Sequence, residues 1–392
     1  MNIIVIAGHY FPTPSPTGIC ARQICDYLKK KHNITLLCVQ KGEPLSGYDT
    51  DGIKIYTIPS MDQPSSKLGN IYSSHIYFPY GLRCYTESAV ALLDQLYEKW
   101  KIDAVLSICA PFSAHVAGYR FTRKHPEIRF VTYTADPYSA NLVQNCSKMT
   151  RGYKCRRAKK WEKKIYGSSQ CNLVFEGIAA DEETYSMFPA HNSHLLYYQF
   201  PEFFPRTLSE ETIKMKIIYA GGFYPTIRNP EYALKTFCGI KNFAFELNIY
   251  CNDASAQLVK NCCVLPENIK LHKQVSLDEI RRIMKNADVL LNIGNAIKGY
   301  MPSKIFEYIA CGKPIISFYT NGLKEQRFDR YPLAIQISQD DTSLEQASQF
   351  VEDFCRQFGK KQMNKEEIDL YFPQNLPEKF QYILDNVFGV SV

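Results

Sequence analysis

Two series of short apolar segments, each alternating with helical patterns, constrain what this chain can fold into. Short apolar strands that alternate with helices indicate a parallel sheet covered on both faces. The sequence therefore predicts an α/β chain with two halves, each with its own sheet. The predicted strands of the first half are 3–7, 34–39, 53–58, 104–109, 129–135 and 171–175. Those of the second half are 216–222, 245–251, 269–273, 289–294, 314–318 and 334–338.

A segment rich in proline and aromatic residues, YYQFPEFFPR at 197–206, separates the two series. We place the domain boundary there, which gives a first domain of residues 1–203 and a second of residues 204–374. The length of 392 residues suits two domains. The tail, residues 375–392, has the pattern of a short amphipathic helix that can cross back and pack on the first domain.

Ligands of open parallel sheets bind beyond the carboxyl ends of the strands, so candidate site residues are expected there. The stretch MPSKIFEYIACGKPIISF, residues 301–318, predicts a helix followed by a strand. At about 100° per residue, Ser303, Lys304 and Glu307 share one face of that helix. The helix N-terminus and Lys304 favour an anion such as a diphosphate, and Glu307 can accept two hydroxyl hydrogen bonds from a ribose. The alternative is a solvated face whose Lys/Glu pair contributes about 0.3 kcal/mol.

Two more strand ends of the second half hold candidate ligand-binding residues. The stretch YAGGFYPTIRNPEYALKTF follows its first strand and contains Gly222 and Arg228. Glycine permits close approach of a ligand to the backbone, and arginine can bind a diphosphate with bidentate geometry. The loop KQVSLDE at 273–279 follows the third strand and includes Val275. Its backbone groups are candidates for holding a flat base.

The strand ends of the first half are less specific. In GHYFPTPSPTGICARQI, a proline-rich loop with His9 leads to Gly18 at the start of a helix, where a phosphate or sugar can approach. The alternative is a stiff surface loop. In TYTADPYSAN, Asp136 follows the fifth strand and can orient or deprotonate an acceptor hydroxyl. Its alternative role is an Asx turn before Pro137.

Several function classes lack their sequence signatures. The chain has no G-x-G-x-x-G, which argues against a nicotinamide dehydrogenase, and no Walker loop or G-x-S-x-G. No His/Cys/carboxylate cluster has metal spacing, so we expect no metal site and no cofactor. The fourteen cysteines include no C-x-x-C pair and are expected to be reduced. The N-terminus lacks the features of a signal peptide and no apolar run approaches ~18 residues, which together predict a cytoplasmic protein.

The net charge of +7 is concentrated in KMTRGYKCRRAKKWEKKIY, residues 148–166, with nine Lys/Arg and one acid. One interpretation is peripheral contact with an anionic membrane at its inner face, at about 1 kcal/mol per cation near the surface. The other is a solvated helix that packs through Trp161. The apolar stripe of Ala158, Trp161 and Ile165 is narrow for insertion, which favours the second interpretation. No nucleic-acid-binding module pattern is present, so nucleic acid is not an expected partner.

The chain resembles the GT-B glycosyltransferases of the family 4 type, also called group 1 glycosyltransferases. The motifs that carry the resemblance are MPSKIFEYIACGKPII, YAGGFYPTIRNPEYAL, NADVLLNIG, HYFPTPSPTG and YTADPY, of which the first is the most specific. The resemblance spans nearly the whole chain. It implies two Rossmann-like domains facing across a cleft, a nucleotide-sugar donor in the C-terminal domain, an acceptor in the N-terminal domain and a C-terminal helix crossing back. It also implies transfer with retention and no obligatory metal.

The resemblance also implies roles for the residues of the 301–318 stretch. Glu307 matches the second glutamate of the family's E-x7-E element, which is expected on the ribose. The first glutamate of that element falls at Gly299 and is absent. This departure is typical of the branch with the signature P-S-K-x-x-E-Y, in which Ser303 and Lys304 take the diphosphate.

Three other residues match family elements. Arg228 matches the basic residue that flanks the leaving phosphates, and Gly18 matches the glycine loop near the donor phosphates. Asp136 aligns with a D-P-W-like element, although the aromatic residue here is Tyr138. The resemblance thus implies catalytic roles for Asp136, Lys304 and Arg228.

The predicted function is transfer of a sugar, as by a hexosyltransferase, from a nucleotide-diphosphate sugar to a saccharide or polyprenyl-linked acceptor in cell-surface polysaccharide synthesis. Two other functions stay open. A nucleotide-sugar epimerase on the same scaffold would need acids and bases around the sugar, for which Asp136 and His9 are loose candidates. A noncatalytic scaffold that binds nucleotide sugars is the other, and intact Lys304, Glu307 and Arg228 argue against it.

Overall fold

The computed structural model describes residues 1–8, 10, 16–39, 52–58, 67–140, 148–200, 214–296 and 304–389. The chain forms two compact units. The first comprises Met1–Tyr198 together with Pro377–Val392, and the second comprises Gln199–Leu376. Each unit has one parallel sheet with helices between its strands, so the α/β class predicted from the alternating pattern is confirmed.

The first unit contains a seven-stranded parallel sheet in the order β3-β2-β1-β4-β5-β6-β7. The strands are β1 (Asn2–Ile6), β2 (Asn33–Val39), β3 (Ile53–Ile58), β4 (Ala104–Cys109), β5 (Arg129–Thr134), β6 (Cys171–Phe175) and β7 (Ser193–Leu196). The central strand β1 lies between β2 and β4, with Val5 opposite Leu36 and Leu106. Six strands match the prediction, and the four-residue β7 does not appear in it.

Six helices of the first unit connect these strands. They are α1 (Pro16–Leu28), α2 (Lys67–Ile71), α3 (Arg83–Tyr97), α4 (Phe112–Lys124), α5 (Lys148–Ser168) and α6 (Glu182–Tyr185), and a π-helical turn, Tyr72–Ile76, follows α2. Helix α5 buries Ala158 and Ile165, and the Trp161 ring stacks on Phe78 with centroids 5.3 Å apart. The predicted packing face of the basic helix is therefore confirmed. Of the helices within the described ranges, none is both long and apolar enough to cross a membrane.

The second unit contains a six-stranded parallel sheet in the order β10-β9-β8-β11-β12-β13. The strands are β8 (Met215–Ala220), β9 (Phe245–Cys251), β10 (Ile269–Lys273), β11 (Val289–Ile293), β12 (Ile315–Tyr319) and β13 (Ala334–Ser338). All six predicted strands are present. Counted from its own first strand, each sheet contains the doubly wound order 3-2-1-4-5-6, which reverses direction between β8 and β11 in this unit.

Seven helices of the second unit follow the strands. They are α7 (Glu231–Gly239), α8 (Asp253–Cys262), α9 (Leu277–Lys285), α10 (Lys304–Ala310), α11 (Gln326–Arg330), α12 (Leu344–Phe358) and α13 (Lys365–Tyr371). Local caps fix several of their starts. The Ser276 hydroxyl accepts a hydrogen bond from the Glu279 N–H at 3.3 Å, and Ser343 with Gln346 forms a capping box on α12.

The last helix, α14 (Pro377–Phe388), belongs to the first unit. The Tyr27 hydroxyl donates to Asp385 Oδ1 at 2.8 Å, and Lys31 Nζ pairs with the same carboxylate at 2.9 Å. The Phe380 ring meets the Tyr27 ring edge-on, with centroids 6.3 Å apart. The predicted return of a C-terminal helix to the first domain is therefore confirmed.

Candidate active site

The candidate site lies where β8 and β11 end, at the point where the strand order of the second sheet reverses. Crevices outside such switch points are the usual ligand sites of doubly wound sheets. Lys304, the first residue of α10, donates a hydrogen bond from Nζ to the Ala220 carbonyl at the end of β8. The lysine predicted to bind a diphosphate thus lies at the carboxyl edge of the sheet.

Gly221 provides the space that the Lys304 ammonium occupies. Its φ is 154°, a conformation that residues with a side chain rarely adopt. A Cβ at this position would lie 2.9 Å from Lys304 Nζ and 3.2 Å from the Tyr219 hydroxyl oxygen. A larger residue would therefore displace the lysine from its position beside Ala220.

Arg228 reaches the same strand end from the loop that follows β8. Its Nε and Nη2 both donate to Asn295 Oδ1, at 3.1 and 2.8 Å, and its Nη1 donates to the Gly222 carbonyl at 3.4 Å. The loop itself is tightened by paired backbone hydrogen bonds between Tyr224 and Arg228, at 2.8 and 3.1 Å. The guanidinium is therefore held in one orientation by the residues that follow β8 and β11.

The two cations lower each other's tendency to carry charge. Burial and the nearby Arg228 charge lower the pKa of Lys304 to about 8, and Glu307 opposes that shift. Among the described residues, no ion pair includes Lys304 or Arg228. A strand end with two cations and no directly paired carboxylate is suited to bind a polyvalent anion.

Glu307 lies one turn after Lys304 on α10, with its side chain mostly buried. Its Oε1 lies 3.4 Å from Nη2 of Arg281, which is on α9. The next residue, Tyr308, accepts a hydrogen bond at its hydroxyl oxygen from the Ala220 N–H at 3.3 Å. These contacts tie α10 to β8 and to α9, so the lysine and the glutamate are held at fixed positions.

The other predicted residues of the second unit fall into three groups. Gly222 contributes its carbonyl to the Arg228 contact, as described above. Val275 is half-buried just after β10, at the same sheet edge. Ser303 lies outside the described residues. The sequence pattern does not indicate Asn295, Arg281 or Tyr308, because their roles arise from contacts between distant segments.

The predicted residues of the first unit are in a separate sheet. Helix α1 begins at Pro16, so Gly18 is a buried residue inside this helix rather than in the preceding loop. Asp136 is half-buried just after β5, and burial raises the pKa of its carboxyl. The Asp136 carbonyl accepts a hydrogen bond from the Cys109 thiol at 3.4 Å. His9 lies outside the described residues.

A buried carboxyl group that was not predicted lies near Asp136 in the chain fold. Glu162 on α5 is fully buried, and its Oε1 accepts a hydrogen bond from the Ser139 N–H at 3.2 Å. Burial raises the pKa of Glu162, although the hydrogen bonds from the Ser139 segment oppose the shift. Glu162 therefore anchors the turn that follows Asp136. In the described ranges, no group of three His, Cys, Asp or Glu residues is arranged to hold a metal ion.

Comparison with known proteins agrees with this geometry. Residues 214–348, which contain the switch point and its cations, match the family described as glycosyl transferases group 1. The matched segment is about a third of the chain. No protein of curated function matches the sequence.

Solved structures match over the whole chain. Anabaena Alr3699/HepE, in complex with UDP and glucose, has a TM-score of 0.66 at 10% identity, with 99% of this chain and 100% of that chain covered. The apo lipopolysaccharide outer core galactosyltransferase WaaB has a TM-score of 0.63 at 11% identity, with 100% of both chains covered. The fold is GT-B. The trehalose-phosphate synthase (UDP-forming) of Burkholderia xenovorans, in complex with glucose-6-phosphate, shares this GT-B fold with a TM-score of 0.64 at 11% identity, covering 100% of this chain and 99% of that one.

Proposed function

We propose that this protein is a glycosyltransferase that moves a sugar from a nucleotide-diphosphate sugar to a saccharide or polyprenyl-linked acceptor in cell-surface polysaccharide synthesis. The observation that carries the proposal is the meeting of Lys304 and Arg228 at the end of β8. The family match over residues 214–348 supports it, because that segment contains both cations. The HepE structure contains UDP and the synthase is named as UDP-forming, which makes UDP the first nucleotide to test.

The mechanism follows from where negative charge develops. Breaking the bond between sugar and phosphate leaves charge on the diphosphate, and Lys304 and Arg228 are placed to stabilise that charge. A preorganised cation is worth on the order of 3 kcal/mol, or ~10² in rate. Glu307 accepts hydrogen bonds from the ribose hydroxyls, and the backbone around Val275 holds the base. Ser303 is proposed as a further diphosphate ligand.

The proposal extends to the acceptor. Asp136 follows β5 in the first unit and has a raised pKa, which suits a carboxyl that exchanges a proton with an acceptor hydroxyl. Gly18, at the start of α1, is proposed to lie near the donor phosphates. We also propose a hexose as the transferred sugar and retention of its anomeric configuration.

Two further parts of the proposal concern conditions and location. The two cations supply the charge that a metal ion supplies in other transferases, so we propose that no metal is obligatory, which assays with and without EDTA test. We also propose a cytoplasmic location with peripheral contact between residues 148–166 and the anionic inner membrane face. The exposed cations of α5 support this contact.

The test is a panel of UDP- and GDP-sugars assayed for nucleotide release, with and without simple saccharide acceptors. We expect release from one donor, and a fall of about a hundredfold in Lys304→Ala and in Arg228→Ala with the fold retained. Near-wild-type turnover in both variants would refute the assignment. An isomerised nucleotide sugar formed without an acceptor would instead show an epimerase.

A further inference from the structure

The segment Leu68–Ile76 in the first unit exposes an unusual number of apolar side chains. Leu68 is 79% exposed, Ile71 is 53% exposed and Ile76 is 55% exposed, and the neighbouring Tyr72 is also exposed. These residues lie on α2 and on the π-helical turn that follows it. Apolar side chains grouped in this way on a surface indicate an interaction site.

The basic helix α5 is fixed directly beside this segment. Lys154 Nζ donates to the Ser74 carbonyl at 2.9 Å, and Arg157 Nη1 donates to the Ile76 carbonyl at 2.9 Å. The Arg83 guanidinium lies 5.3 Å from the centre of the Tyr72 ring. Two segments far apart in sequence therefore form one continuous surface.

Helix α5 adds both charge and apolar area to that surface. At about 100° per residue, Met149, Tyr153, Arg156 and Lys160 share one face, next to the position of Arg157. Met149 is 96% exposed and Tyr153 is 66% exposed, and both cations are exposed as well. The apolar stripe that looked too narrow in the helix sequence faces inward, whereas this outward face combines apolar and cationic side chains.

Acidic residues are missing from both segments. Neither 67–83 nor 148–161 contains an Asp or Glu. The nearest acid in sequence, Glu162, is fully buried. Exposed aliphatic side chains and tyrosines among long cationic side chains match the interface of an anionic bilayer, where the apolar groups insert and the ammonium and guanidinium groups meet the headgroups.

We propose that the exposed side chains of 68–76 and the Met149–Lys160 face of α5 form a single docking surface for an anionic lipid bilayer. This inference deepens, and rests on, the membrane contact in the proposed function. Its new content is that half of the surface comes from the segment Leu68–Ile76, which supplies the apolar insertion that the basic helix lacks by itself.

The experiment is sedimentation of the full-length protein with vesicles of phosphatidylcholine mixed with phosphatidylglycerol, and with vesicles of phosphatidylcholine alone. We expect binding to the mixed vesicles only. Ile71→Ser/Ile76→Ser should lower the partition coefficient about tenfold or more. Arg156→Gln/Lys160→Gln should lower it about fivefold for each cation removed. The matched control is Val264→Ser/Leu370→Ser, which removes two exposed apolar side chains of the second unit and should bind as wild type.

Three results would overturn the proposal. They are failure of the wild type to bind mixed vesicles, equal binding to neutral vesicles, and wild-type binding by the Ile71/Ile76 double variant. Thermal shifts with UDP and GDP are measured on the same preparations, and the surface variants should keep the wild-type shift. Loss of lipid binding with nucleotide binding intact, or the reverse, therefore shows which proposal fails.

Discussion

The Arg228 guanidinium is held by Asn295, whose single Oδ1 accepts hydrogen bonds from both Nε and Nη2 at 3.1 and 2.8 Å. The two residues follow different strands, β8 and β11, so the contact joins the two sides of the switch point. A side chain amide can orient a guanidinium without neutralising it, which leaves the positive charge available to a ligand.

Asn295→Ala is expected to weaken binding of a nucleoside diphosphate about tenfold, since a hydrogen bond to a charged group contributes about 1.5–3 kcal/mol. Calorimetric titration with UDP and GDP measures the loss. The matched test is a double-mutant cycle, in which Asn295→Ala should have little further effect once Arg228 is already alanine. Additive effects of the two substitutions would show that Asn295 does not act through Arg228.

Lys304→Met is expected to abolish diphosphate binding and yet raise thermal stability at pH 7. The folded protein holds the Lys304 pKa at about 8, below the ordinary lysine value of 10.5. Below pH 8 the folded state bears the full cost of the buried charge, on the order of 2 kcal/mol, and this cost disappears as pH rises toward 10.5. The gain over wild type should therefore be present at pH 7 and absent near pH 10.5. Lys241→Met, at an exposed position of the same unit, is the control and should change neither property.

The affinity for a nucleoside diphosphate should fall as pH rises through about 8, because Lys304 then loses its proton in the free protein. A bound anion favours the charged lysine, so binding near pH 8 should take up a proton. Calorimetry in two buffers with different ionisation enthalpies measures that uptake. A flat affinity between pH 7 and 9 in the wild type would count against the role of Lys304, and the Lys304→Met variant should show such a flat profile.

Glu307→Ala should distinguish ribose recognition from phosphate recognition. Loss of the carboxylate removes the proposed ribose hydrogen bonds but no phosphate contact, so affinity for UDP or GDP should fall about tenfold or more. Affinity for inorganic pyrophosphate should hold or rise, since a negative charge beside Lys304 is removed. Parallel losses for all these ligands would mean that Glu307 acts on the structure of α10 rather than on a ribose.

Much of the fold follows from local patterns. The buried strands of both sheets are runs of aliphatic residues bounded by polar or glycine-containing loops, and such runs identify strands of a parallel sheet. Strand β7 is harder to recognise, because SHLL at Ser193–Leu196 is only four residues long and only Leu196 is fully buried. The start of α1 at Pro16 was placed late because the proline-rich sequence before Gly18 was interpreted as loop throughout.

The candidate site is only partly accessible from sequence. Lys304, Glu307 and Arg228 stand out because their residue types occur at strand ends within recognisable motifs. Asn295 and Arg281 do not, because each acts through a contact with a residue distant in sequence. The docking surface depends in the same way on α5 and the Leu68–Ile76 segment meeting in space.

The most direct test of the central claim is a crystal structure of the protein with UDP or GDP bound, whichever gives the larger thermal shift. We expect the diphosphate within hydrogen-bond distance of Lys304 Nζ and the Arg228 guanidinium, beside Gly221, and the ribose hydroxyls on Glu307. A nucleotide bound elsewhere, with Lys304 still donating only to Ala220 and Arg228 still held only by Asn295 and Gly222, would contradict the account.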